Sequence, residues 1–257
     1  MKEKLYTIPL MDAFKAEDEC PFCFVERQLE QHAMDFVLGA GASYMEDDIR
    51  AETDKAGFCR EHYKKMFEYG NRLGCGLILT THFKKKNEEL KQQIKMFSPA
   101  KASMFSHFKK AQSTADAPKT SIGVWAKAQQ ESCYICNYYK NTYSRYLDTF
   151  FELYRKNPEF VELFKKSKGF CLPHFADLVE NAETILSDKE KSDFYETLFP
   201  LMTENMQRVT DDLEWFCDKF DYKNKDADWK TSKDAIPRGM QKAAGSYPAD
   251  PPYKSAL

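Results

Sequence analysis

Apolar positions along this chain recur at helical intervals. Tyr143, Tyr146, Leu147, Phe150, Phe151 and Tyr154 fall at i, i+3, i+4, i+7, i+8 and i+11, one face of a helix. Met202, Met206, Val209, Leu213, Phe216 and Phe220 step by 4, 3, 4, 3 and 4. That spacing predicts a long buried stripe like a coiled-coil seam. Pro200 should kink or interrupt this helix near its start. Leu79, Phe83, Leu90, Ile94 and Phe97 make a similar, less complete stripe, and Gly70, Gly74 and Gly76 mark a break before it. Runs of β-branched residues are few and no useful period-two alternation occurs. The prediction is an all-α protein.

One cysteine–histidine pattern occurs twice. Cys20-x-x-Cys23 is followed by Gly57-Phe58-Cys59-x-x-His62, and Cys133-x-x-Cys136 by Gly169-Phe170-Cys171-x-x-His174. The paired cysteines shift by 113 residues between copies, and the third cysteine and the histidine by 112. The pattern predicts an internally duplicated helical repeat. The expected parts are a first zinc-binding repeat (1–97), a polar basic linker (98–128), a second zinc-binding repeat (129–220) and a C-terminal tail (221–257). Trp229, Ile236 and Met240 are candidates to pin that tail onto the body.

Zinc takes about four ligands in a tetrahedron, usually thiolate and neutral imidazole. Taken in chain order, the sets are Cys20, Cys23, Cys59 and His62, then Cys133, Cys136, Cys171 and His174. Each would staple one half of the protein. Pro173 places a helix start at about Cys171, because proline is tolerated in a first turn. The positive end of that helix favours thiolate. Gly169 is expected to cap the segment Pro158–Lys168 in a left-handed conformation, and Gly57 repeats that role after Lys55. The expected cofactors are two zinc ions. An iron–sulfur cluster is the alternative, disfavoured because such clusters usually take cysteine ligands.

A thiol–disulfide site is a second alternative. Cys20-Pro21-Phe22-Cys23 looks like a glutaredoxin-type dithiol, but the strand-then-helix context of that dithiol is missing. Haem attachment fails because Phe24 and Asn137, not histidine, follow the CxxC motifs. Four protein ligands leave no open position for water or substrate, so the metal is read as structural and no catalytic residue is assigned. Cys75 and Cys217 lack partners at metal spacing and are expected to be buried free thiols. His32, His82 and His107 have no nucleophile or carboxylate to work with.

Bulk composition narrows the classes further. The chain has 257 residues, 42% hydrophobic, enough for a real core. Charged residues make up 30%, with a net charge of −2, so no global pull toward nucleic acid or an anionic membrane exists. Residues 84–119 are locally basic through Lys84, Lys85, Lys86, Lys91, Lys95, Lys101, Lys109, Lys110 and Lys119. They are read first as a solvated face and linker, with nucleic-acid contact as the alternative. The N-terminus MKEKLYTIPLMDAF has no apolar stretch of signal-peptide length, and no run approaches a membrane span. A cytoplasmic protein is expected, where thiols stay reduced.

With these motifs, the chain resembles an uncharacterised bacterial family, common in clostridia, known as domain of unknown function 6062. The stretches that carry the resemblance are Met1–Pro9, Cys20–Cys23, Lys55–His62, Tyr146–Thr149, Ser167–His174 and Ser232–Arg238. The resemblance covers nearly the whole chain, and implies that the tail belongs to the folded protein. It implies no established activity. The function expected from the residues is a zinc-binding scaffold with a protein partner. A redox switch based on zinc release from CxxC, or nucleic-acid binding through 84–119, are the rivals.

Overall fold

A computed structural model describes residues 5–39, 41, 46–99 and 118–245. Among these the regular structure is entirely helical. The helices are α1 (Thr7–Lys15), α2 (Pro21–Leu38), α3 (Asp47–Ala56), α4 (Arg60–Tyr69), α5 (Arg72–Met96) and α6 (Ser121–Glu131). They continue with α7 (Tyr134–Lys156), α8 (Pro158–Lys166), α9 (Leu172–Ile185), α10 (Asp188–Asp218) and α11 (Ala235–Ala244). No helix among the described residues is long and apolar enough to cross a membrane.

The helices divide into two compact units. One is formed by the described residues up to Glu30 and those from Lys140 onward, the other by Gln31–Tyr139. The units cut across the expected division at 97 and 129, because α2 and α7 each begin in one unit and end in the other. Part of the expected linker is the helix α6, which packs on α5. Residues 100–117, with His107 and much of the basic stretch, lie outside the described residues.

The first unit is built on aromatic side chains. Tyr143, Tyr146, Leu147, Phe150 and Phe151 are buried, as the α7 periodicity predicts. Phe150 stands edge-on to Phe160 and Phe164, at 5.4 and 5.5 Å between ring centroids. Each fully buried ring contributes about 1.5–3 kcal/mol relative to exposure. α8 starts well: Asn157 accepts from the Phe160 amide at 3.2 Å, and Pro158 occupies the first turn.

Helix α10 departs from its expected start. It begins at Asp188 behind a Ser187/Glu190 capping box and runs 31 residues, uninterrupted by Pro200. Met202 and Val209 of its stripe are buried, Met206, Leu213 and Phe216 are half-buried, and Phe220 is exposed.

The tail reverses its predicted chemistry. Trp229 packs against Phe216 and Phe220, but Ile236 and Met240 face solvent. Helix α11 instead buries its polar side, Arg238, Gln241 and Lys242. Buried charges need partners. Arg238 pairs with Asp212 at 2.8 Å and with Asp234 at 2.9 Å.

In the second unit, Ala33, Met34, Val37 and Leu38 of α2 pack with Phe58, Met66, Tyr69, Ile78 and Ile135. Gly70 ends α4 with φ 96°, a conformation that favours glycine. Gly74 and Gly76 do not break the chain: they lie inside α5, whose N-cap Asn71 accepts from the Gly74 amide at 2.9 Å. A Cβ on Gly74 would stand 2.8 Å from that Asn71 amide, so the cap fits against a glycine. The α5 stripe is not core: Phe83, Leu90, Ile94 and Phe97 are exposed.

Candidate metal centres

Each of the four ligand pairs is built the same way. Cys20, Cys59, Cys133 and Cys171 each stand immediately before a helix, and each carbonyl accepts from the amide four residues on, at 3.2, 2.9, 3.0 and 2.8 Å. The second member of the pair, Cys23, His62, Cys136 or His174, is the third helical residue. Both side chains therefore point off the N-terminal end of a helix, where unpaired amides and the helix dipole favour thiolate. For Cys171 this is the helix start that Pro173 predicted.

The pairs meet in crossed combination. Cys20, Cys23, Cys171 and His174 converge in the first unit, and Cys59, His62, Cys133 and Cys136 in the second. This corrects the chain-order assignment: the CxxC of each sequence half joins the CxxH of the other. In the first centre His174 Nδ1 lies 3.4, 3.5 and 3.1 Å from the sulfurs of Cys20, Cys23 and Cys171. In the second, His62 Nδ1 lies 3.1, 3.2 and 3.4 Å from those of Cys59, Cys133 and Cys136.

These distances fit an ion. One ring nitrogen carries at most one proton, so it cannot hydrogen-bond three sulfurs at once. A tetrahedron with zinc bonds of ~2.3 Å to sulfur and ~2.0 Å to nitrogen has edges of about 3.8 Å (S···S) and about 3.5 Å (S···N). The measured S···S separations are 3.6 Å for Cys23–Cys171 and 3.9 Å for Cys59–Cys136. In each candidate set the four donor atoms lie within 4.8 Å of one another, and every cysteine is free of disulfide. With Nδ1 turned to the sulfurs, the proton of His174 sits on Nε2, with Glu26 Oε2 at 4.0 Å. Among the thiols of the second centre, the hydrogen bond with Cys136, helped by His62, holds Cys133 well below the ordinary range, and the same contact pushes Cys136 up. A bound ion would displace the remaining protons.

The surroundings of the centres differ. All four ligands of the first are buried, whereas Cys59 and Cys136 of the second are half-buried. In the second centre the two ligand-bearing segments are tied by their backbones: the Tyr134 amide donates to the Gly57 carbonyl at 2.9 Å. The residue equivalent to Tyr134 in the first centre is Pro21, which has no amide proton to donate. There Lys242 of α11 does the tying. Its ammonium donates to the Glu19 carbonyl at 2.7 Å and to the Lys168 carbonyl, just ahead of Cys20 and of Gly169-Phe170-Cys171. Gln241 adds a bond to Asp18 at 2.6 Å, and Asp18 accepts from the Cys20 amide at 3.0 Å. Gly245 closes the site: a Cβ there would stand 3.5 Å from the Cys171 sulfur, and its φ of 74° favours glycine. Sequence reading missed Lys242 because a lysine beside apolar residues carries no signal of its own.

Gly57 ends α3 directly, but with φ 61° and ψ −157° it lies outside the left-handed helical region expected of it. Gly169 stands further off, two residues beyond the Ser167 cap of α8, with φ 72°. A Cβ on Gly57 would meet His82 Cε1 at 2.8 Å. His82 itself donates from Nδ1 to the Asp54 carbonyl at 3.0 Å, and its partial burial lowers its pKa. It borders a cavity of about 540 Å³ beside the second centre, with Cys59, Tyr63, Lys86 and Trp125. Cys75 is half-buried and donates to the Met66 carbonyl at 3.4 Å, and burial raises its pKa. Cys217, expected to be buried, is exposed. His32 is exposed.

No curated protein and no solved structure matches the chain. A family described as being of unknown function, DUF6062, matches residues 1–250, and the chain belongs to that family.

Proposed function

We propose that this is a cytoplasmic zinc-binding scaffold, with one structural zinc ion in each centre and a protein partner. The observation that carries the reading is the convergence of three sulfurs and one imidazole nitrogen at tetrahedral spacing, twice, with the protein supplying every ligand. A closed site of this type holds chain segments together and leaves no position for a substrate, so the chain works without catalysis of its own. Each ion would join helix starts far apart in sequence, Cys23 with Cys171 across 148 residues and Cys59 with Cys136 across 77. A link confined to one sequence half would close a loop of roughly 35 residues. By loop-closure entropy the crossed links restrict the unfolded chain more, by about 1 kcal/mol each. We read the repeated ligand pattern as an internal duplication whose halves have exchanged partners. Elemental analysis of anaerobically purified protein tests the zinc assignment: the expected content is close to two zinc ions per chain, and less than one overturns it.

One observation favours a second reading. Cys59 and Cys136 are half-buried and border solvent, so oxidation would reach the second centre before the first. In this reading the second centre is a redox switch that releases its ion. Peroxide should then free one zinc ion per chain at concentrations that spare the other. Release of both together, or of neither, contradicts it. The nucleic-acid alternative rests on residues 84–119, half of which lie outside the described residues.

A further inference from the structure

We propose that a groove in the first unit, walled by Lys166, Lys168 and Lys233, binds a small polyanion carrying two or more phosphate groups. The groove has a volume of about 720 Å³ and is formed by the end of α8 and the turn after it, the middle of α10, and residues 230–238. Seven lysine and arginine side chains line it against three carboxylates, in a chain whose net charge is −2. Gathering like charges in one concave surface raises its potential and costs stability unless an anion offsets it.

The cations divide into two sets. Arg208 and Arg238 are spent internally: Arg208 on Glu19 at 2.5 Å and Asn205 at 3.1 Å, Arg238 on Asp212 and Asp234. Lys165 pairs with Glu162 at 3.5 Å, and the ammonium of Lys230 lies 4.3 Å from the centre of the Trp215 ring. Lys166, Lys168 and Lys233 have no carboxylate partner among the described residues, and they come from two separate segments. Lys230 adds a third observation. Its φ of 50° is a left-handed conformation uncommon for a lysine, held by its amide donating to Asp228 at 3.1 Å. That turn sets the lysine-bearing segment 230–233 against the groove.

The class of ligand follows from the walls. An ammonium group offers three donors around a point charge, which suits phosphate oxygens. Leu201 is the one apolar residue among the lining residues, so no surface exists for a base to stack or an acyl chain to lie on. The volume lies within the range of small-ligand sites and far exceeds a single phosphate. A short polyphosphate or a phosphorylated polyol fits these terms.

Calorimetry with inorganic tripolyphosphate as the probe tests the assignment on the full chain. The expected result is one site per chain. Substituting Lys166→Gln, Lys168→Gln and Lys233→Gln together should weaken it by about 1000-fold, since each lost charge-assisted bond is worth roughly a factor of ten or more. The exposed pair Lys223→Gln and Lys225→Gln, outside the groove, should leave it unchanged. Metal content of the triple variant should match the parent, which separates failure here from failure of the zinc assignment. No binding at about 1 mM tripolyphosphate, where even a Kd of ~1 mM half-saturates the site, overturns the proposal. So does undiminished binding by the triple variant. A 20-nucleotide RNA held more tightly than tripolyphosphate by the same lysines also overturns it, in favour of a nucleic-acid surface.

Discussion

The two centres share one ligand geometry and solve the same closure problem by different means. Each must hold two helix starts together. The second does so with a backbone bond, Tyr134 to Gly57, and stays half-open beside a cavity. The first has Pro21 where that donor would stand, and is buried under α11, with a lysine ammonium bridging the two segments. Where a proline lacks the backbone donor, a side chain distant in sequence holds the two segments instead. The C-terminal helix thereby becomes part of the first centre although it contributes no ligand.

The largest expected effect is loss of a ligand. Cys171→Ser should remove one ion and abolish cooperative unfolding of the first unit, because a closed protein-ligated metal site couples ion binding to folding. The second unit should keep its ion and its transition in calorimetry. Loss of both transitions would mean that the two centres are not separable.

Next is Lys242→Met, which leaves the Glu19 and Lys168 carbonyls without their buried donor, while Arg208 still pairs the Glu19 carboxylate. Leaving two buried acceptors unsatisfied costs about 2–5 kcal/mol. Urea unfolding should show that loss in the first unit, and chelator competition should show weaker metal retention at the first centre alone. An equal effect at both centres would refute the assignment of Lys242 to the first.

Exposure supplies the third contrast. Alkylation of the zinc-loaded protein should label Cys59 and Cys136 roughly tenfold faster than Cys20, Cys23 or Cys171, because the thiolates of the first centre are covered. Mass spectrometry of quenched samples reads the order. Labelling of Cys171 first would reverse the comparison.

The smallest effect isolates the backbone bond. Tyr134→Pro copies the first centre's Cys-Pro start into the second, where no lysine compensates. Relative to Tyr134→Ala it should cost about 1 kcal/mol, the worth of one hydrogen bond, since proline is otherwise tolerated at a first helical position. Equal stability of the two variants would show that the bond contributes nothing.

Much of this was legible in the residues. Period 3.6 at Tyr143–Phe151 located a buried helix face, and Pro173 located the start of α9. All eight ligands stand out from their spacing, because a Cys–Cys or Cys–His pair three apart is a local feature. Which pair meets which is not local. Both chain-order and crossed pairing satisfy the same spacing, and long-range packing decides between them. The α5 stripe misled for a related reason: apolar periodicity reports a helix face, not what covers it. In α11 the apolar residues Ile236 and Met240 pointed to the wrong side, since the helix turns Arg238, Gln241 and Lys242 inward onto charged and polar partners. Gly74 and Gly76 read as a break because the Asn71 cap that starts α5 ahead of them has no apolar signature.

Metal content of two double variants tests the crossed pairing most directly. Cys20→Ser with Cys171→Ser disables a single centre, so one zinc ion per chain should remain. Cys20→Ser with Cys59→Ser disables both, so none should remain. The reverse result, one ion in the Cys20/Cys59 variant and none in the Cys20/Cys171 variant, would contradict the account and restore pairing within each sequence half.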